Sequence, residues 1–65
     1  MDDFLVRLEI EQKELQEKTE KLYGFISGKG IDSVTSVQKV LLNAQLNSMR
    51  CYNDILVARI VDLTN

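Results

Sequence analysis

The sequence predicts an all-α protein, a two-helix antiparallel hairpin that assembles with further copies into a homo-oligomeric bundle with coiled-coil packing. Three observations predict it. Apolar residues recur at helical spacing in two long segments, and the chain contains no Pro. A short Gly-containing connection separates the segments, which makes the two helices antiparallel neighbours within one domain, residues 1–65. The second segment carries a wider apolar sector than the first can cover.

Helix 1 is expected at about residues 3–26. Glu, Leu and Lys dominate this segment, and all three are strong helix formers. An apolar stripe with alternating steps of three and four residues predicts one narrow seam against a partner helix. The stripe comprises Leu5, Leu8, Gln12, Leu15, Thr19, Leu22 and Ile26.

The connection is expected at residues 27–35. Gly28 is placed to end helix 1 in a left-handed backbone conformation, and Ile31 and Val34 are expected to pack the connection against the hairpin. Thr35 and Gln38 match a capping box, in which the Thr hydroxyl accepts from the Gln amide. Either Asp32 or Ser33 can serve as the cap instead, which would shift the start of helix 2 by up to three residues.

Helix 2 is expected at about residues 36–62, and its apolar sector spans roughly 200° at about 100° per residue. Because a stripe of about 100° on helix 1 covers only part of that sector, we place helix 2 at the centre of an oligomer with helix 1 outside it. A dimeric four-helix bundle is the simplest closure, and trimers or higher assemblies are alternatives. The expected oligomer interface comprises Leu41, Met49, Cys51, Ile55, Leu56 and Ile60.

Composition argues against an enzyme and against a cofactor or metal site. The chain has no His and a single Cys, so it lacks the usual general base at neutral pH and a zinc ligand set. A formal charge of −2 disfavours general binding to DNA, RNA or anionic membranes. The first ten residues lack the pattern of a secretory signal, and no apolar run reaches membrane-spanning length. We therefore expect a complete cytosolic protein.

Four polar residues interrupt the apolar sector of helix 2 along one face: Gln45, Ser48, Tyr52 and Arg59. An unpaired buried Arg is costly, so Arg59 needs a carboxylate, a carbonyl or a ligand anion. One interpretation is a hydrogen-bond network that fixes the register of the bundle, with Arg59 near Asp3 or Glu9. The other is a ligand pocket between protomers, in which Tyr52 stacks on a base and Arg59 holds a phosphate.

Lys29 provides a second candidate for anion binding. It lies between Gly28 and Gly30, just before the amino end of helix 2, where free amides and the helix dipole attract phosphate. The segment lacks the spacing of a phosphate-binding loop, so a plain helix end followed by a turn is the alternative. Lys39 and Arg50 are expected to point outward as solubilising charges.

Most of the chain, residues 7 to 60, resembles an uncharacterised family of very short helical phage proteins first named from a crAss-like phage. The most specific part is a ladder on helix 2 with the residues Leu41, Leu42, Gln45, Leu46, Met49, Tyr52, Ile55, Leu56, Arg59 and Ile60. The resemblance implies a phage origin and a helical hairpin. The chain departs from the family at Val37 and Val40, where the family pattern tends to be charged, and this departure favours a protein contact there.

Two functions follow as hypotheses. The first is a phage-encoded anti-defence protein that sequesters nucleotide immune signals, either cyclic oligonucleotides or ADP-ribose-derived messengers, in the cytoplasm of the infected bacterium. It rests on analogy with small oligomeric viral proteins that bind such signals at subunit interfaces. The second is a structural or adaptor protein that acts through protein–protein contacts. A two-helix dimer that binds RNA is disfavoured by the acidic charge.

Overall fold

The computed structural model describes residues 2–65, with side chains from Asp3 onward, and it has the all-α hairpin architecture that the sequence predicts. Helix α1 spans Asp2–Ser27 and helix α2 spans Ser36–Thr64, with a short 3₁₀ helix at Lys29–Ser33 between them. The two long helices pack against each other as a rod of 45 × 14 × 14 Å. Within residues 2–65 no helix combines the length and the apolar content that a bilayer span requires.

The stripe expected on α1 is the line of residues that faces α2. Leu8 and Thr19 are buried, and the other five members are half-buried, while the residues between them are exposed. Thr19 avoids an unpaired hydroxyl because its Oγ1 donates to the Leu15 carbonyl at 2.7 Å. The alternation of three and four residues therefore identified the packing face of α1 correctly.

On α2, the line that faces α1 uses the same spacing but is much narrower than the apolar sector. We call it the inner seam, and it comprises Lys39, Leu42, Leu46, Met49, Asn53, Leu56 and Ile60. Leu46 and Leu56 are buried here, and with Leu8 they are the three apolar side chains that are buried in the described part of the chain. Leu46 and Asn53 were not expected in the packing face, and Lys39 is half-buried rather than turned outward.

A polar layer crosses the inner seam near the middle of the hairpin. Gln12 Nε2 donates to Asn53 Oδ1 at 3.1 Å, and Asn53 Nδ2 donates to Gln16 Oε1 at 2.8 Å. These hydrogen bonds join α1 to α2 and select one pairing of the helices, as polar residues do in coiled-coil seams. Among the described residues, the hydrogen-bond network that joins the two helices of one hairpin therefore consists of Gln12, Gln16 and Asn53.

The connection corrects one expectation. Gly28 has φ −100° and ψ −164°, and no glycine among residues 2–65 has a positive φ, so the left-handed helix end expected at Gly28 was wrong. Gly30 instead lets the turn pack closely on Phe25, because a Cβ at this position would lie 2.6 Å from the Phe25 ring. Ile31 and Val34 are half-buried along the turn.

Helix α2 begins with the expected cap. Thr35 Oγ1 accepts from the Gln38 amide at 3.2 Å, so Thr35 is the cap rather than Asp32 or Ser33. Ser33 instead closes the 3₁₀ turn, its hydroxyl donating to the Gly30 carbonyl at 2.7 Å.

Candidate ligand-binding grooves

Two open grooves run between the helices, one on each side of the seam. On both helices, most residues that line the first groove come directly before a seam residue in the sequence. Most residues that line the second groove come directly after one. In an antiparallel pair of helices the preceding positions of the two partners lie on the same side, and so do the following positions. We call the first the terminal groove, lined by Phe4, Arg7, Leu8, Glu11 and Arg59, and the second the central groove, lined by Gln16, Thr19, Glu20, Tyr23, Arg50, Asn53 and Asp54.

The terminal groove is cationic and aromatic. The guanidinium carbon of Arg59 lies 5.8 Å from the centroid of the Phe4 ring, within the range of a cation–π contact. Arg7 lines the same groove and is oriented by a hydrogen bond from its Nε to the Asp3 carbonyl, 3.3 Å long. Two guanidinium groups face one carboxylate, that of Glu11, so the groove carries an excess positive charge and a volume of about 280 Å³.

The central groove has the opposite balance. Arg50 is exposed, as expected for a solubilising charge, but it does not point away from α1, because its guanidinium carbon lies 5.3 Å from the centroid of the Tyr23 ring. Glu20 and Asp54 line the same groove, which gives two carboxylates to one guanidinium in a volume of about 230 Å³. The Gln16 amide already donates to Glu20 Oε1 at 2.9 Å. An anion is therefore disfavoured here relative to the terminal groove.

The structure brings part of the expected ligand set together. Gln45, Ser48, Tyr52 and Arg59 each precede an inner-seam residue, so they lie on the side of α2 that borders the terminal groove. All four are exposed. Two of them make contacts within α2: Ser48 Oγ donates to the Ala44 carbonyl at 3.1 Å, and Gln45 Nε2 lies 3.9 Å from Met49 Sδ.

Lys29 lies apart from this group. It is exposed and begins the 3₁₀ helix at the turn, whereas Arg59 lies beside Phe4 at the end of a hairpin that is 45 Å long. One small ligand bound to a single hairpin therefore cannot contact both side chains.

The residues expected at an oligomer interface divide into two groups. Leu41, Cys51 and Ile55 are exposed on the hairpin. Met49, Leu56 and Ile60 belong to the inner seam, and Leu56 is 0% exposed. The second group therefore contributes to the hairpin's own core.

Sequence reasoning missed Phe4 and Arg7, although a signal for them was present. Each directly precedes a stripe residue, Leu5 and Leu8 respectively, and such flanking positions form the rim of the seam between two helices. The ligand residues expected from the sequence lie on α2 and in the connection, and none lies on α1.

Within the described part of the chain no three residues among Cys, Asp and Glu approach closely enough to hold a metal ion. Cys51 is exposed and unpaired.

No curated protein and no solved structure matches the chain. A family model does match, that of Sequestin, over residues 2–62, and because this match covers nearly the whole length, the chain belongs to the Sequestin family.

Proposed function

We propose that the protein is a phage-encoded, non-enzymatic sponge that sequesters a nucleotide immune signal in the cytoplasm of the infected bacterium. The observation that carries the proposal is membership of the Sequestin family over residues 2–62, since that family name suggests a sequestering role. The ligand classes are those that the sequence suggests, cyclic oligonucleotides or ADP-ribose-derived messengers.

The chemistry of the terminal groove supports a ligand of this kind. Phosphate oxygens accept charge-assisted hydrogen bonds from guanidinium groups, and Arg7 and Arg59 supply two such groups in one groove. Phe4 is about half exposed and offers its ring to a base. Tyr52 lies on the same side of α2, seven residues or about two helical turns from Arg59, and offers a second ring. Both ligand classes combine phosphates with at least one nucleobase, so both fit this pairing.

The size of the groove favours a site that is completed by a second copy. Its volume of about 280 Å³ is at the lower limit of ligand sites, which span roughly 300–1,000 Å³. A single hairpin would thus leave much of a dinucleotide-sized ligand in water. Sequestration requires slow release, and slow release is favoured when the ligand is largely enclosed.

The test is calorimetric titration of the full chain with cyclic dinucleotides, cyclic trinucleotides and ADP-ribose derivatives. For any ligand that the wild type binds, Arg59→Ala is expected to raise the dissociation constant by about 5- to 150-fold, the equivalent of about 1–3 kcal/mol. Tyr52→Ala is expected to weaken binding over the same range by loss of stacking. Arg50→Ala is the matched control, because it removes the same charge from the same helix on the opposite side of the seam.

An equal loss of affinity in Arg50→Ala and Arg59→Ala would place the site elsewhere and contradict the role of the terminal groove. Absence of heat for every ligand in the panel would contradict sequestration of these signals. Lys29→Ala belongs in the same series, as the test of the second anion site predicted from the sequence.

The exposed apolar surface favours one alternative function, that of an adaptor. Val37 and Val40 are 67% and 70% exposed at the start of α2, where a partner protein could bind. An adaptor would show no heat with the nucleotide panel, and Val40→Asp would abolish its partner binding while leaving the helical content of the hairpin unchanged.

A further inference from the structure

Helix α2 carries a second line of residues with coiled-coil spacing, on the side turned away from α1. We call it the outer seam. Its steps alternate between four and three residues, as in a heptad repeat. All of its members are exposed in the hairpin, among them Val37, Leu41 and Ile55 at 67%, 54% and 56%. The outer seam comprises Val37, Leu41, Ala44, Ser48, Cys51, Ile55 and Ala58.

The outer seam suits close packing against another helix. Small side chains at Ala44, Ser48, Cys51 and Ala58 let a second backbone approach closely, while the larger apolar residues lie between them. The one hydroxyl in the line is already satisfied, because Ser48 Oγ donates to the Ala44 carbonyl at 3.1 Å. Burying this line would therefore leave no side-chain hydroxyl without an acceptor.

We infer that the outer seam packs against the outer seam of a second copy of this chain, with the two α2 helices parallel. The choice of a second copy rests on the small core of one hairpin, in which three apolar side chains are buried among residues 3–65. A 65-residue chain with so little buried apolar area needs a further source of stability. With a single Cys it has no internal disulfide to supply it. Association of the exposed line supplies the missing burial.

The parallel orientation rests on charge. With Leu41, Ser48 and Ile55 at heptad position a, Asp54 occupies position g and Arg59 occupies position e of the next heptad. In a parallel pair, position g of one helix lies beside the following position e of its partner, so Asp54 of each copy meets Arg59 of the other. Both side chains are exposed in the hairpin.

An antiparallel pair lacks this match. There, e positions face e positions and g positions face g positions. The e positions are Gln38, Gln45, Tyr52 and Arg59, which include no acid, and the g positions are Val40, Asn47, Asp54 and Val61, which include no base. Among these e and g positions, opposite charges therefore meet only in the parallel arrangement. Asp62 occupies the next a position after Ala58 and meets its own copy in that pair, but it lies in the last turn of α2, at the end of the outer seam.

This inference goes beyond the sequestering function and does not depend on a ligand. It also has a consequence for the ligand site, since Tyr52 and Arg59 flank the outer seam at its e positions. In the parallel pair, the terminal groove of each copy therefore lies next to the surface of the other copy. A guanidinium has five N–H donors, so Arg59 can contact both the partner's carboxylate and a phosphate.

The test is disulfide trapping in the full chain with Cys51 replaced by Ser. Ala58→Cys in this background places two thiols side by side in the parallel pair, and we expect a covalent dimer under mild oxidation. In an antiparallel pair centred between residues 48 and 51, the same thiols would lie about 25 Å apart, from 1.5 Å per helical residue. Glu17→Cys in the same background is the control, because Glu17 is exposed on the outer side of α1.

Charge exchange supplies the second measurement. Asp54→Arg is expected to raise the dissociation constant of the assembly by about two- to tenfold in sedimentation at low salt, because each copy then meets like charges. Asp54→Arg combined with Arg59→Asp is expected to restore it. Failure of Ala58→Cys to form the covalent dimer above the level of Glu17→Cys would overturn the inference, as would a wild-type chain that sediments as a 7.4 kDa monomer. Nucleotide titration is an independent measurement, so the two proposals can fail separately: a monomer that binds a nucleotide would overturn only the pairing, and an assembly that binds none would overturn only the sequestration.

Discussion

The side-chain amide of Gln12 donates to the amide oxygen of Asn53 at 3.1 Å, across the seam between α1 and α2. Both residues are half-buried, and the side-chain amide of Asn53 also donates a hydrogen bond to Gln16 Oε1. Sliding one helix along the other by a turn would set each amide against apolar side chains. The pair therefore selects the alignment of the helices, and with it the apposition of Arg59 and Phe4 at the end of the hairpin.

Asn53→Ala is expected to lower the free energy of unfolding by about 1–3 kcal/mol, because Gln12 then loses its partner at a half-buried position. Urea unfolding at one fixed protein concentration measures the effect, since association contributes to stability. Asn47→Ala on the exposed face of the same helix is the control and is expected to stay within about 0.5 kcal/mol. Equal effects of the two substitutions would contradict the role of the polar layer.

Replacing both amides by Leu separates stability from alignment. The double variant Gln12→Leu with Asn53→Leu is expected to be at least as stable as the wild type, because apolar pairs replace a polar pair without leaving a donor unpaired. It is also expected to populate more than one helix pairing, which would appear as extra peaks in amide NMR spectra. A single set of sharp peaks would show that the apolar residues alone determine the alignment.

Leu56→Ala is expected to destabilise the protein by about 2–5 kcal/mol, since Leu56 is 0% exposed and the substitution leaves a cavity in the small core. Leu63→Ala, at 47% exposure near the end of the same helix, is the control and is expected to cost far less. Thermal unfolding at matched concentrations compares them. Similar melting temperatures would mean that the core does not lie on the inner seam.

Two glycines are expected to respond in opposite directions. Gly24→Ala is expected to stabilise the protein by about 0.5–1 kcal/mol, because Gly24 lies inside α1 and a Cβ there would meet nothing within 4 Å. Gly30→Ala is expected to destabilise it, because the new Cβ would lie 2.6 Å from the Phe25 ring. Urea midpoints that shift in the same direction would contradict this account of the turn.

Cys51→Ala is expected to keep ligand binding and assembly, and to cost at most roughly 1–2 kcal/mol, because a small residue remains in the outer seam. Cys51→Glu is the contrasting change and is expected to dissociate the assembly by burying an unpaired charge. Loss of ligand binding in a folded Cys51→Ala protein would reveal a chemical role for the thiol.

The sequence by itself determined the hairpin, the packing face of α1 and the start of α2. Leu8 and Thr19 belong to a single narrow stripe, so the period alone identified which line of α1 would be buried. The cap at Thr35 is equally local, since its hydroxyl reaches an amide only three residues away. Features that depend only on residues close together in the sequence could therefore be predicted from it.

Tertiary structure decided which part of α2 faces α1. Its apolar sector contains two lines of residues with the same spacing, and periodicity does not distinguish them. Leu56 and Ile55 are therefore equivalent in the sequence pattern, although Leu56 is buried and Ile55 is exposed. The inner line is the one that also places Asn53 beside Gln12, a residue 41 positions away in the sequence. The contacts of Arg50 with Tyr23 and of Arg59 with Phe4 depend on the same alignment. Alignment between helices is set by side chains that meet only after the chain has folded back, and no local pattern encodes it.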